Sequence, residues 1–178
     1  MDDQTIAAAR RGNREAQARL LRELQDPWYR LTLSLLCDPE RAMDATQESA
    51  LRFLRQLPGF RGESQLRTWA LGIAINVVRE IRRSHRPTVE LDPESYLARA
   101  SVWEPSPEGS AELSERRDCL HASLAGLPHR QREAVVLRFF EEMSVEQTAV
   151  AMNCAVGTVK ATVHQALRTL REKLKMLV

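Results

Sequence analysis

The run Ser144-Val-Glu-Gln-Thr-Ala-Val-Ala-Met-Asn153-Cys-Ala-Val-Gly157-Thr-Val-Lys160, continued by apolar-periodic residues to Leu174, leaves this chain few folds to choose from. A short helix, a tight turn and a longer second helix make a helix-turn-helix, which lays its second helix in the DNA major groove. Ser144 is placed to cap the first helix, with Gln147 three residues on completing a capping box. Ala149 is small where the two helices must cross. Asn153 occupies the turn, where asparagine tolerates the left-handed backbone conformation. Val156, Val159, Val163, Leu167, Leu170 and Leu174 fall on one stripe of the last helix, a core face. That leaves Thr158, Lys160, Ala161, Thr162, His164, Gln165 and Arg168 for DNA. Lys160 and Arg168 suit phosphates; Thr162, His164 and Gln165 suit base edges, with Gln165 bidentate to adenine as the sharpest assignment. A helix-turn-helix can also be no more than a structural bundle, so the rest of the chain has to decide.

Strand signals are nearly absent, and helical periodicity divides into two blocks, so the reading is all-α with two small helical domains. The first, 1–86, is punctuated at Gly12-Asn13, at Cys37-Asp38-Pro39 and at 57–62. Asp38 reads as an N-cap with Pro39 at the first helical position, and Ser64 as the N-cap of the last helix of the block. The second, 112–178, has a helix over 128–142 opened by Pro128, then the helix-turn-helix. Between them, 87–111 is an acidic, proline-containing linker: Pro87, Pro93, Pro105 and Pro107 disfavour continuous helix, and from Pro87 to Asp118 eight acids face three bases. The linker is expected to be mobile in the free chain, letting the domains be clamped together or spread apart.

Two helices of the first domain carry faces that need a use. Over 40–57, Met43, Ala50, Phe53, Leu54 and Leu57 form a core stripe, while Asp44, Gln47, Glu48, Leu51 and Arg55 line the other side. An exposed leucine among charges suits protein docking, although a plain solvated face has the same pattern. Over 64–85, Leu66, Trp69, Ala70, Ile73, Val77 and Ile81 form the buried stripe, with Thr68, Arg79, Arg82, Arg83 and Arg86 opposite and Arg61 and Arg67 flanking the start. Arginine's planar fork of donors makes this a phosphate-grade surface. In the loop 58–64, Gly59 and Gly62 permit sharp turns, and Phe60 either packs inward or stacks on a base.

Other chemistry has little to stand on. His85, His121, His129 and His164 lack metal-ligand spacing with the cysteines or each other, and neither a phosphate-binding glycine loop nor a nucleophile elbow is present. No metal or cofactor is expected. Cys37, Cys119 and Cys154 are odd in number and scattered, which points to reduced thiols in a cytoplasmic protein; Cys154 reads as a packing residue. No apolar stretch approaches the roughly 20 residues of a membrane helix, and the acidic start Met1-Asp-Asp-Gln is no signal peptide, so no membrane insertion is expected. Net charge is only +2, so any nucleic-acid surface is local.

Asp44-Ala-Thr-Gln47-Glu48, Phe60-Arg-Gly-Glu-Ser64, Leu66-Arg-Thr-Trp69, Ile73-Ala-Ile-Asn76 and Arg82-Arg83 resemble the second conserved region of bacterial sigma factors of the extracytoplasmic function (ECF) class. Leu127-Pro128, Gln131-Arg-Glu133, Ser144, Ala149 and Val156-Gly-Thr-Val-Lys160 resemble the fourth region of the same class. The resemblance implies a transcription initiation factor, a dissociable specificity subunit of RNA polymerase rather than an enzyme. It implies that Asp44, Gln47, Glu48, Leu51 and Arg55 dock on the β′ clamp helices of the core enzyme. Phe60, Arg61, Ser64, Arg67, Asn76, Arg79, Arg82, Arg83 and Arg86 would recognise and help open the −10 element, with one base flipped into a loop pocket. Residues of the last helix would read the −35 element, and that domain would also meet the β flap. The linker would run toward the RNA exit path, and an anti-sigma factor is an implied partner.

Two departures from the family pattern matter. Ala45-Thr46 stand where Leu-Val is common, which is expected to thin the docking contact. The recognition helix runs Ala161-Thr-Val-His-Gln165 where arginines are common, which predicts a different −35 preference. A stand-alone helix-turn-helix regulator remains the alternative, with a small hydrolase a distant third; only a sigma factor has a use for the face around Asp44 and Glu48.

Overall fold

The first three helices of the first domain each start where a side chain takes up an orphan backbone N–H. In the computed structural model, which describes residues 2–84 and 124–175, α1 (Asp3–Arg10) is capped by the Asp2 carboxylate accepting from Thr5 N at 2.8 Å. That bond holds the Asp2 carboxyl below its ordinary pKa. Gly12 turns the chain at φ +90°, and Asn13 caps α2 (Arg14–Leu36) by accepting from Ala16 N at 2.9 Å. α2 ends on Cys37 in the left-handed conformation, and Asp38 caps α3 (Pro39–Gln56) with Pro39 at its start, as expected from the sequence. A single 3-10 turn (Leu57–Gly59) and the 60–65 loop lead into α4 (Leu66–Ser84). Here the expectation of Ser64 as N-cap fails. Gln65 provides the first helical carbonyl, to Trp69 N at 3.1 Å, while the Ser64 hydroxyl turns to the Gln65 carbonyl.

The core of this domain is set by α2, whose Leu20, Leu24, Trp28, Leu31 and Leu35 recur every three or four residues and are all buried. Trp28 meets the Phe53 ring edge-on at 5.4 Å, and its indole N–H donates to the Ala70 carbonyl at 2.9 Å, so α2 is tied to α3 and α4 at one residue. Small polar groups manage the α2–α3 crossing. Thr46 Oγ1 donates to the Ala42 carbonyl at 2.7 Å and lies 3.1 Å from Thr32 Oγ1.

In the second domain α5 (His129–Val135) passes into a π turn (Val136–Phe140), in which Glu141 N donates to the Val136 carbonyl five residues back. The helix expected to reach Glu142 therefore stops short, and Glu142 itself is left-handed at φ 53°. α6 (Val145–Met152) carries the expected capping box of Ser144 and Gln147, and Asn153 makes the turn at φ 52° before α7 (Val156–Lys175). Asn153→Gly is expected to be neutral or slightly stabilising and Asn153→Ala to cost about 1 kcal/mol, read by urea denaturation, because only the alanine loses local compensation for the left-handed backbone. The α7 core differs from the expected stripe. Val159 and Ala166 are buried with Val163 and Leu170 beside them, whereas Val156 and Leu167 are exposed; the Leu174 side chain lies outside the described residues.

The two domains pack on each other. α6 lies across α4, where Gly72 leaves its backbone so close to Ala151 that an added Cβ would sit 3.3 Å from the Ala151 carbonyl. This burial accounts for a second correction. Thr68, placed with the arginines by helical phase, is 1% exposed, and Leu71, Ala74, Ile75 and Val78 are buried too, because α4 is covered on both sides. The linker 87–111, and with it Arg86, Cys119 and the expectation of mobility, lies outside the described residues.

Candidate nucleic-acid interface

The α3 face is open as expected: Asp44, Gln47, Leu51 and Arg55 are exposed and Glu48 is partly so. Helical phase erred on Met43, which is not core but 55% exposed, next in apolar size to Leu51 at 50%. Glu48 is steered by Arg52, which donates to it at 2.6 Å and pairs with Glu80 on α4 at 2.7 Å. Glu80, then Glu48, hold the Arg52 guanidinium above its ordinary pKa, and Arg52 in turn lowers the Glu80 carboxyl. Ala45 and Thr46 are buried against α2, so the expectation that they thin the docking contact is overturned: they never reach the exposed face.

Phe60 resolves inward, 8% exposed and 5.0 Å from the Trp69 ring, which in turn lies 5.5 Å from Phe53. Its loop nonetheless borders an open cavity of about 810 Å³, walled by Ile6 and Arg10 of α1 and by Gly62, Ser64 and Arg67. The participation of α1 had no signal in the sequence, because nothing in a short amphipathic helix says which loop it will face. Arg61 is almost wholly exposed, its guanidinium 3.8 Å from Glu63.

Of the α4 residues, Asn76 and Arg83 are exposed, and Arg83 donates back to the Arg79 carbonyl at 3.3 Å. Arg79 and Arg67 are engaged by the second domain, and Arg82 is covered at the border between the two. Arg79 grips Glu133 with two bonds, at 3.1 and 2.7 Å, and reaches the Met152 carbonyl at 3.3 Å. Arg67 donates to the Glu141 backbone carbonyl at 3.1 Å and pairs with its carboxylate, which also lies 3.8 Å from Arg30. Burial lifts the Glu141 carboxyl above its ordinary pKa, against the pull of Arg67 and Arg30. Arg82 is turned in to the Leu35 carbonyl, where Arg132 also donates at 3.1 Å. Desolvation, with the neighbouring Arg132 charge, pushes the Arg82 pKa down to about 10. One of its nitrogens, Nη1, is buried without a hydrogen-bond partner, an omission that costs ~1–3 kcal/mol. The expected open arginine face is thus largely closed. Sequence reasoning missed Glu133 and Glu141 as its partners, since paired buried acids look like surface charge in a one-dimensional pattern.

On α7, Thr158, Lys160, Ala161, His164, Gln165 and Arg168 are exposed and Thr162 is half-buried, all along the free side of the helix. The contact that Arg168 makes is with Glu172, one turn on, at 3.1 Å. Among the described residues, no helix is long and apolar enough to cross a membrane, and the buried Cys37 sulfur accepts from Arg132 at 3.3 Å.

Comparison with known proteins bears on both domains. The family described as Sigma-70 region 2 matches residues 20–88, and Sigma-70, region 4 matches 117–170. The RNA polymerase sigma-H factor of Pseudomonas aeruginosa is 31% identical over 185 aligned residues, covering 99% of this chain and 95% of that one. The ECF RNA polymerase sigma factor EcfG of Rhodopseudomonas palustris is 35% identical over 146 residues, covering 82% and 76%. In fold, the chain is similar to the sigma factor RpoE of Bartonella quintana, solved in complex with the anti-sigma factor NepR, at a TM-score of 0.68 and 24% identity over 89% of this chain and 96% of that one. These matches leave no room for a stand-alone regulator: the chain belongs to the sigma-70 family of transcription initiation factors, in its extracytoplasmic function class.

Proposed function

We propose that the chain docks on the β′ clamp helices of core RNA polymerase through Asp44, Gln47, Glu48, Leu51 and Arg55, with Met43 extending the apolar part of that face. Domain 1–86 then reads and helps open the −10 element, with Arg61, Asn76 and Arg83 outermost and Arg67, Arg79 and Arg82 joining once uncovered. The cavity beside Phe60 receives an extruded base, with Arg10 and Arg67 at its rim, so that pocket contacts offset unstacking. Phe60 shapes that cavity from within. Domain 112–178 reads the −35 element with Lys160 and Arg168 on phosphates and Thr162, His164 and Gln165 at base edges, and meets the β flap. The linker 87–111 runs toward the RNA exit path.

The observation that carries this reading is the exposed α3 face, because two large apolar side chains among charges have no role in a protein that only binds DNA. The chain acts by binding, and the polymerase supplies the chemistry. Its setting is the cytoplasm, and an anti-sigma factor is its natural restraint, a reading supported by the complex in which the Bartonella quintana sigma factor was solved.

Gel filtration with core polymerase, followed by promoter-dependent transcription in vitro, tests the whole reading; failure to associate at any salt concentration overturns it. In the same assay, Arg79→Ala with Arg82→Ala is expected to reduce open-complex formation while leaving core binding intact. Thr162→Ala with Gln165→Ala is expected to lose about ten-fold in discrimination among −35 duplexes selected from a randomised library, in line with ~1–3 kcal/mol per base-reading pair.

A further inference from the structure

Two of the arginines assigned above to the −10 element, Arg67 and Arg79, are held by the second domain of the same chain, and a third, Arg82, is turned in to a carbonyl of its own domain beside Arg132, whereas the −35 residues of α7 are not covered in this way. Arg79 is bidentate to Glu133, a carboxylate whose side chain is 2% exposed. Arg67 is paired with Glu141, whose side chain is 1% exposed. Arg82 is folded in beside Arg132 onto a single carbonyl, that of Leu35. Two oxygens offered side by side to a guanidinium fork are what a phosphate offers too. We propose that α5 and the π turn after it act as an internal decoy for the DNA backbone: in the unbound chain Glu133 and Glu141 occupy Arg79 and Arg67, so the −10 surface is shut while the −35 helix stays open.

Features of the interface make the closure reversible. Arg82 and Arg132 are like charges brought together, and Arg82 Nη1 lacks an acceptor that a phosphate would supply. At the crossing of the two helices Gly72 meets Ala151, so small residues face each other there. Leu124, Leu137, Met143 and Val159 are buried on the second domain's side. Docking of α3 on the polymerase, at a face distant in phase from the α3 residues packed on α2, leaves the closure to be broken as the second domain moves to its own site. This proposal rests on the assignment of Arg67, Arg79 and Arg82 to DNA.

The full-length chain tests it by arginine labelling with phenylglyoxal, read residue by residue by peptide mass spectrometry. In the unaltered chain Arg79 and Arg82 are expected to react at least about ten-fold more slowly than exposed Arg83 and Arg168, through the loss of solvent access that the paired geometry imposes. Glu133→Gln with Glu141→Gln keeps side-chain size and is expected to speed Arg67 and Arg79. Gly72→Leu touches no charge; it wedges α4 from α6 and is expected to speed all three. An unchanged helical circular-dichroism signal with a cooperative thermal transition shows that neither variant unfolds the chain, and Arg83 and Arg168 serve as the fast references. Binding of a 20-nucleotide thymidine strand, followed by fluorescence anisotropy, is expected to tighten about ten-fold in both variants, as freed arginines regain phosphates. Rapid labelling of Arg79 in the unaltered chain, or slow labelling in both variants, overturns the closure. Fast labelling in the variants with no gain in strand binding overturns the decoy role and identifies the −10 assignment as the part that failed.

Discussion

Leu51→Asp combined with Asp44→Arg is expected to weaken binding to core polymerase by about 100-fold or more and to abolish promoter-dependent transcription. In the proposed docking Leu51 is the apolar anchor of the α3 face, and truncating a central anchor costs ~2–4 kcal/mol; here a charge also enters the contact. Asp44→Arg reverses a rim charge, which slows association and misorients what does associate. Both residues are exposed, so the thermal midpoint is expected to shift little. Fluorescence titration of labelled protein with core enzyme gives the affinity, and calorimetry of the free protein separates docking from folding. An affinity unchanged within two-fold sinks the docking assignment.

Arg132→Ala is expected to destabilise the free chain by about 3 kcal/mol or more in urea denaturation. Arg132 is 6% exposed and donates to the carbonyls of Leu124 at 2.8 Å and of Leu35 at 3.1 Å, and also to those of Ala125 and Leu127. The alanine removes the guanidinium from the Ala125 and Leu127 carbonyls, each worth ~1–3 kcal/mol when orphaned, while Leu35 keeps Arg82 and Leu124 keeps the Leu127 N–H. Relief of the repulsion with Arg82 recovers part of the loss, so Arg82 is expected to return toward its ordinary pKa in the variant. Arg132→Lys is expected to restore less than half, because one ammonium cannot reach carbonyls on three sides as the planar fork does.

These two positions mark what could and could not be read from the chain alone. Ser144 with Gln147, Asp38 with Pro39, and Asn153 are local devices: each acts on backbone within four residues, so spacing alone locates it. The α3 face was legible for a related reason, since Asp44, Gln47, Leu51 and Arg55 remain in solvent and obey the helical period. Met43 escaped because a flexible apolar side chain at the border of a stripe gives no sign of which way it turns. Thr68, Arg79, Arg82, Arg132, Glu133 and Glu141 escaped for a deeper reason. The distant partners that bury them lie about 50 to 100 positions away, and a helical wheel treats the side facing a second domain as though it faced water. Ala45 and Thr46 show the same limit in reverse: a comparison by motif placed them on the contact, whereas packing against α2 removes them from it. The resemblance located both domains in order, but the roles of individual arginines depend on which state of the molecule is considered.

The π turn at Val136–Phe140 has a consequence for how this region can vary. It holds one more residue than an α turn would, and the widened turn absorbs that residue. Deleting a single residue there winds the helix back to ordinary spacing and leaves the following side chains close to their present angle, with the carboxylate at 141 still toward Arg67. The same deletion made in the plain helix before it, at 129–135, rotates everything that follows by about 100° around the axis and swings that carboxylate away. The wide turn is therefore a place where one codon can be lost while the two halves of the molecule stay hooked together.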